Sequence, residues 1–185
     1  MPGLTVSEKA DLVATFRAAS VFLMETLARW TPTTPELEVK VLFGRHIWEF
    51  AQHADALGKR AAELRAALHY TRPPVAAYQD GLRALAAETA TARRVAGVYD
   101  ALIPDLQSRY RRWLEQADPL LDEPTIRIME RVLTDLARMR DERRELLLDM
   151  PAPLVPEPAH AAQLAERFAS VAVFVDFRPS RVGAA

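Results

Sequence analysis

Thr34-Pro35-Glu36-Leu37-Glu38-Val39-Lys40-Val41-Leu42-Phe43-Gly44-Arg45-His46-Ile47-Trp48-Glu49-Phe50-Ala51-Gln52-His53-Ala54-Asp55 opens like a helix, and no proline interrupts the chain from there to Tyr70. Thr34 has the side chain of a cap and Pro35 stands where a first helical residue would. At about 100° per residue, Val39, Leu42, Phe43, His46, Phe50, His53, Leu57, Leu64 and Leu68 share one face. Two of the chain's four histidines therefore interrupt an apolar stripe where leucine is the ordinary occupant. Gly44 and Gly58 cost helix propensity inside the same run, which predicts a close helix contact at each.

The rest of the chain repeats this helical grammar. Thr5-Val6-Ser7-Glu8 has capping-box spacing and starts a helix that runs to about Trp30, with Leu12, Phe16, Ala19, Leu23, Leu27 and Trp30 on one side. Pro32 and Pro35 separate it from the next helix, and so short a connection favours an antiparallel neighbour. A third helical region spans about Val75 to Gln116, with an early interruption at Gly81 and a kink or break at Pro104. Its inward face carries Glu88, Val95, Tyr99, Leu102, Leu106 and Trp113. After Asp118-Pro119-Leu120-Leu121-Asp122, a fourth helix runs from about Glu123 to Leu148 on a stripe of Ile128, Met129, Val132, Leu136, Met139 and Leu147. These elements predict an all-α protein, an antiparallel four-helix bundle over 1–149.

Residues 150–185 belong to the same domain. They read as a proline-rich linker, a short helix over about Ala159 to Ala169, and an extended arm from Val171 to Pro179. That arm is rich in β-branched and aromatic residues and is expected to cover the bundle or a neighbouring subunit, as a homodimer contact.

Composition excludes several functions. At 185 residues, 50% hydrophobic and 26% charged, the chain has the profile of one soluble domain. A net charge of −1 offers no basic field for nucleic acid. The absence of cysteine removes disulfides, thiolate metal sites and cysteine nucleophiles. The amino terminus lacks an apolar signal core and no segment has the length of a membrane span, so a cytoplasmic protein is expected.

The candidate site is built on His46, Glu49 and His53. The two histidines project from nearly one angle but lie roughly 10 Å apart along the axis, too far to share an ion easily. Glu49 lies at metal-ligand spacing from each, so one ion on Glu49 and one histidine, or a pair of ions, is easier to build. The plainer reading is a neutral, hydrogen-bonded histidine pair in the core. Glu88 and Asp135 are the expected partners on other helices, because a buried polar group needs one. Tyr99 can bring a hydroxyl inward, and Phe43, Trp48, Phe50 and Tyr99 are expected to line a substrate pocket. Glu25 and Glu130 project away. The runs Arg93-Arg94, Arg111-Arg112 and Arg143-Arg144 read as solvated helix faces.

A helical bundle with carboxylates and histidines projecting inward resembles the ferritin-like superfamily. The stretch from Trp30 through Thr34-Pro35-Glu36 and Gly44-Arg45-His46-Ile47-Trp48 to His53-Ala54-Asp55-Ala56-Leu57 is similar to that of uncharacterised bacterial ferritin-like proteins. The resemblance implies a small-molecule enzyme doing oxidative chemistry with iron or manganese, and a ligand set of Glu and Glu-x-x-His on paired helices. This chain departs from that set. It has Glu49-x-x-x-His53, it has Arg138 where a histidine is required, and its first helix offers only Glu25. Two further readings stand beside the oxidative one: metal-free acid–base catalysis by the same residues, and a metal-free bundle serving as a binding or assembly module.

Overall fold

A computed structural model describes residues 4–151, 154–155 and 157–177. Among them every regular element is helical: α1 (Val6–Trp30), a 3-10 turn (Thr31–Thr33), α2 (Leu37–Glu63), α3 (Ala76–Ala86), α4 (Thr91–Ala96), a π-helical segment (Gly97–Leu102), α5 (Ile103–Leu114), α6 (Glu123–Asp149) and α7 (Pro158–Ala169). No helix among the described residues is long and apolar enough to cross a membrane.

The start of α1 is the capping box read from the sequence. Thr5 N–H donates to Glu8 Oε2 at 2.8 Å, and Thr5 Oγ1 accepts from Glu8 N–H at 3.3 Å. α2 differs at both ends from the sequence reading. Thr34 does not cap it, because its buried hydroxyl donates back to Trp30 O at 2.9 Å and closes the preceding turn. Glu36 takes the cap position instead, with no side-chain bond. At the far end α2 stops at Glu63 rather than near Tyr70. Arg65 adopts φ 63°, and the amides of Arg65 and Ala66 return to Ala62 O and Ala61 O at 2.9 and 3.0 Å. That is a Schellman stop built without glycine. Leu68 consequently leaves the stripe and is exposed, while Leu64 stays buried.

The third region breaks later than expected. Gly81 sits undisturbed inside α3, against the Phe168 ring, and the chain instead turns between Ala86 and Thr91. Pro104 neither breaks nor ends the helix that follows. The turn before it widens, with Ile103 N–H reaching five residues back to Val98 O, so α4, the π segment and α5 form one continuous rod around a residue that lacks an amide donor. The expected close contact at Gly44 is absent: a Cβ there would meet open space. Gly58 does make one, with a Cβ position 2.6 Å from His69 Nδ1 and 3.0 Å from Arg17 Nε.

Packing places α1 chiefly against α2, and α6 between α2 and α5. Phe16 stacks on Tyr110 with ring centroids 4.0 Å apart, joining α1 to α5. Across the α2–α6 seam, Arg60 meets Thr125, His53 meets Asp135 and His46 meets Glu142. Numbers fall on one helix as they rise on the other, so the pair is antiparallel.

α7 lies on the π segment and α3. The chain after α7 then returns to its own core: Phe174 and Val175 are buried, and Val75 N–H donates to Phe174 O at 3.2 Å. The Phe174 ring meets Phe16 and Tyr78 at 5.2 and 4.9 Å. Arg109 clamps this corner, donating to Phe168 O and Val171 O at 2.9 Å each while Asp105 neutralises it. The expected linker residues 152, 153 and 156, and the arm beyond 177, lie outside the described residues.

Candidate functional site

His46 and His53 both face inward from α2 and are essentially inaccessible, at 0% and 2% exposure. They sit seven residues apart, and α6 answers with carboxylates seven residues apart, Glu142 and Asp135. Antiparallel packing matches them into two rungs. His46 Nε2 lies 3.1 Å from Glu142 Oε2, and His53 Nε2 lies 3.0 Å from Asp135 Oδ2. Between the rungs stands Arg138. Its guanidinium reaches Glu142 Oε1 at 2.7 Å, Asp135 Oδ1 at 3.1 Å and Glu49 Oε1 at 3.0 Å, tying three carboxylates to one fixed cation. Arg45 adds a fourth bond from the rim, 3.1 Å to Glu142 Oε2.

The protonation pattern follows from these contacts. Burial lowers the pKa of His46 and outweighs Glu142, which would raise it. Burial likewise lowers His53 against the pull of Asp135. Both imidazoles are therefore neutral at pH 7. Glu142 goes the other way. Burial pushes its carboxyl up, but hydrogen bonds from Arg138, His46 and Arg45 more than offset this and hold it at about 2. Burial also raises Asp135, and His53 and Arg138 bring it below its ordinary value.

A carboxylate only accepts, so His46 Nε2 carries the proton toward Glu142 and His46 Nδ1 is left as an acceptor. Tyr99, fully buried in the π segment, fills it: its hydroxyl lies 2.6 Å from His46 Nδ1. Burial raises the Tyr99 phenol well above its ordinary pKa, so it stays a donor. The result is a set of bonds that converges on Glu142: Tyr99 O–H donates to His46, His46 N–H donates to Glu142, and Arg138 donates to Glu142 from the other side. His53 has no such companion. With Nε2 turned to Asp135, its buried Nδ1 has no hydrogen-bond partner.

Glu49, His53 and Asp135 each offer a ligand atom within 4.8 Å of the others, the one such group of three among the described residues. Beside them α2 and α6 enclose a cleft of about 240 Å³, with Ala56, Ile128 and Val132 as apolar lining, Gln52 and His53 as polar lining, and Arg127 and Arg131 among its walls.

The structure thus brings together His46, Glu49, His53, Asp135 and Tyr99. It separates Glu88, which lies in the break before α4 with its carboxylate 2.8 Å from His160 Nε2 of α7. The expected aromatic pocket does not form. Phe43 and Phe50 are buried in the core, Tyr99 is committed to His46, and Trp48 is 65% exposed. Glu25 and Glu130 are exposed, as their phase predicts. The sequence reading missed Glu142 and the role of Arg138. The heptad match between 46/53 and 135/142 is the signal that marks Glu142. The arginine at 138 was visible as a defect in a ligand motif and is, in the fold, the hub of the network. Arg94, read as part of a solvated face, is buried over the Trp30 ring at 5.3 Å and donates to Thr33 Oγ1 at 3.0 Å.

Compared with protein-family models, curated proteins and solved structures, the chain matches none.

Proposed function

We propose that this chain is an antiparallel four-helix bundle of ferritin-like type that acts on a small molecule at the α2–α6 cleft, with one divalent iron or manganese ion held by Glu49, His53 and Asp135. The four rods are α1, α2, the continuous α4–α5 helix and α6. The observation that carries the reading is the convergence of an imidazole and two carboxylates from two helices within 4.8 Å, beside a cleft. The donor set fits. Carboxylate and imidazole suit both metals. A full dinuclear site is not part of the proposal, because Arg138 bonds the carboxylates of both rungs and the buried acid of α1, Asp11, is met by the Tyr70 hydroxyl at 3.4 Å.

When bound, the ion would supply oxidative chemistry with dioxygen, as the resemblance implies. The chain's own residues do the rest. Arg138 fixes the two carboxylates that flank His53, and the cleft admits a ligand with an apolar body. Elemental analysis of protein produced with iron and manganese available tests the proposal. One equivalent of metal, lost in Glu49→Ala and in His53→Ala, is expected; metal-free protein refutes it.

One observation favours a second reading. Arg138 already neutralises the carboxylates a metal would need, and in a metal-free protein it is the permanent cation of an acid–base or purely structural network. Arg138→Leu separates the two. If Arg138 competes with metal, the variant binds it more tightly; if Arg138 replaces metal, the variant remains metal-free.

A further inference from the structure

The arginine runs of α5 and α6 reach solvent, with Arg111, Arg112 and Arg144 exposed and Arg143 half-buried, and they meet at one cleft. The fold sets Arg111 of α5 across from Arg140, Arg143 and Arg144 of α6, and together they line a polar cleft of about 350 Å³. Two carboxylates share it. Asp100 is taken by Arg143 and Asp141 by Arg144, the latter at 2.8 Å. Two guanidinium groups remain. Arg140 has only a long bond to Gln107 Oε1 at 3.4 Å, and among the described residues no carboxylate pairs with it or with Arg111. Arg143 Nε is buried without an acceptor. Four guanidinium groups around this cleft thus face two carboxylates, Asp100 and Asp141, and the excess of cations favours an anion there.

We propose that this α5–α6 cleft binds the phosphate group of a small phosphorylated molecule. Guanidinium forks match phosphate oxygens two at a time, and Arg111 and Arg140 are the two with forks to spare. The cleft is larger than a single oxyanion, which leaves room for an organic body. It is a recess between two helices rather than a flat or extended basic face, which argues for a soluble ligand over a bilayer or a nucleic acid. The proposal is independent of the metal reading, since no residue is shared between the two sites.

Calorimetric titration of the full chain with inorganic phosphate and with methyl phosphate, at constant ionic strength, tests it. Saturable binding is expected for both. Arg111→Ala/Arg140→Ala should weaken it by about tenfold or more, given two charge-assisted bonds lost. Arg29→Ala/Lys59→Ala, which removes equal charge elsewhere, should bind like wild type. Unchanged helical circular dichroism certifies each fold. Three results would overturn the proposal: no saturable phosphate binding by wild type, equal weakening in both double variants, or capture by phosphatidic acid vesicles without binding of either soluble phosphate.

Discussion

Arg138 is the residue on which the polar centre most depends, and Arg138→Met isolates its contribution. The substitution keeps much of the side chain's length and removes the cation from three carboxylates. Holding Glu142 at about 2 instead of its ordinary 4.5 corresponds to about 3 kcal/mol of preference for the folded, ionised state. Arg138 leads His46 and Arg45 among the groups that lower it, and its bonds to Glu49 and Asp135 add about 1 kcal/mol. The guanidinium is 40% exposed, and solvent screening brings the expected loss to about 2 kcal/mol at pH 7.

The pH dependence gives the sharper test. A depressed carboxyl pKa stabilises above the unfolded value and ceases to do so as pH falls through the folded one. Wild type should therefore shed the Glu142 contribution between about pH 4.5 and pH 2. Urea unfolding of wild type and variant at pH 7 and pH 3 should give a difference that shrinks at the lower pH. A difference that is independent of pH, or one near zero at pH 7, would show that the network does not hold its carboxylates as described.

Two further perturbations probe other links in the chain of reasoning. Tyr99→Phe removes the only donor to His46 Nδ1 inside the core and should cost about 1–2 kcal/mol in denaturant unfolding, the usual price of an orphaned buried acceptor. Gly44→Ala and Gly97→Ala should move stability in opposite directions. The first places its methyl in open space on an exposed helix face and should gain about 1 kcal/mol. The second drives a Cβ to 2.4 Å from Leu85 Cδ1 and should lose about 1–3 kcal/mol, read as melting temperatures of the two variants.

The sequence made the long helices and their inward histidines legible because their apolar stripes have one clear period. α2 and α6 each bury one side only, so a straight helical wheel reads them well, and α1 shows its stripe beyond Phe16 although Ala10 to Phe16 are buried on every side. The wheel failed at the middle rod. In the π segment, Gly97, Val98, Tyr99, Ala101 and Leu102 are all buried, because α7 covers one side and α6 the other. A helix enclosed all round has no stripe to read, and a widened turn shifts whatever phase remains. Glu88 was misplaced for another reason: it was assigned to a continuous helix that in fact breaks beside it. The C-terminal arm was legible as an apolar segment needing cover, and the cover turns out to include this chain's own Phe16 and Tyr78. Arg138 was legible only as a letter out of place. A motif read residue by residue scores it as a loss, whereas its three carboxylate partners become visible only when α2 and α6 are laid side by side.

The wide turn before Pro104 sets the phase of everything that follows it. One residue removed between Gly97 and Leu102 would return the rod to ordinary pitch, at about 100° of rotation for whichever half then yields. If the first half yields, Tyr99 swings away from His46. If the second yields, Tyr110 leaves Phe16, Arg109 leaves the carbonyls after α7, and Arg111 leaves the arginines of α6. The count of six residues therefore sets the facing of both the buried histidine rung and the α5–α6 arginine cleft, which adjoin where Asp100 follows Tyr99 and Arg143 follows Glu142.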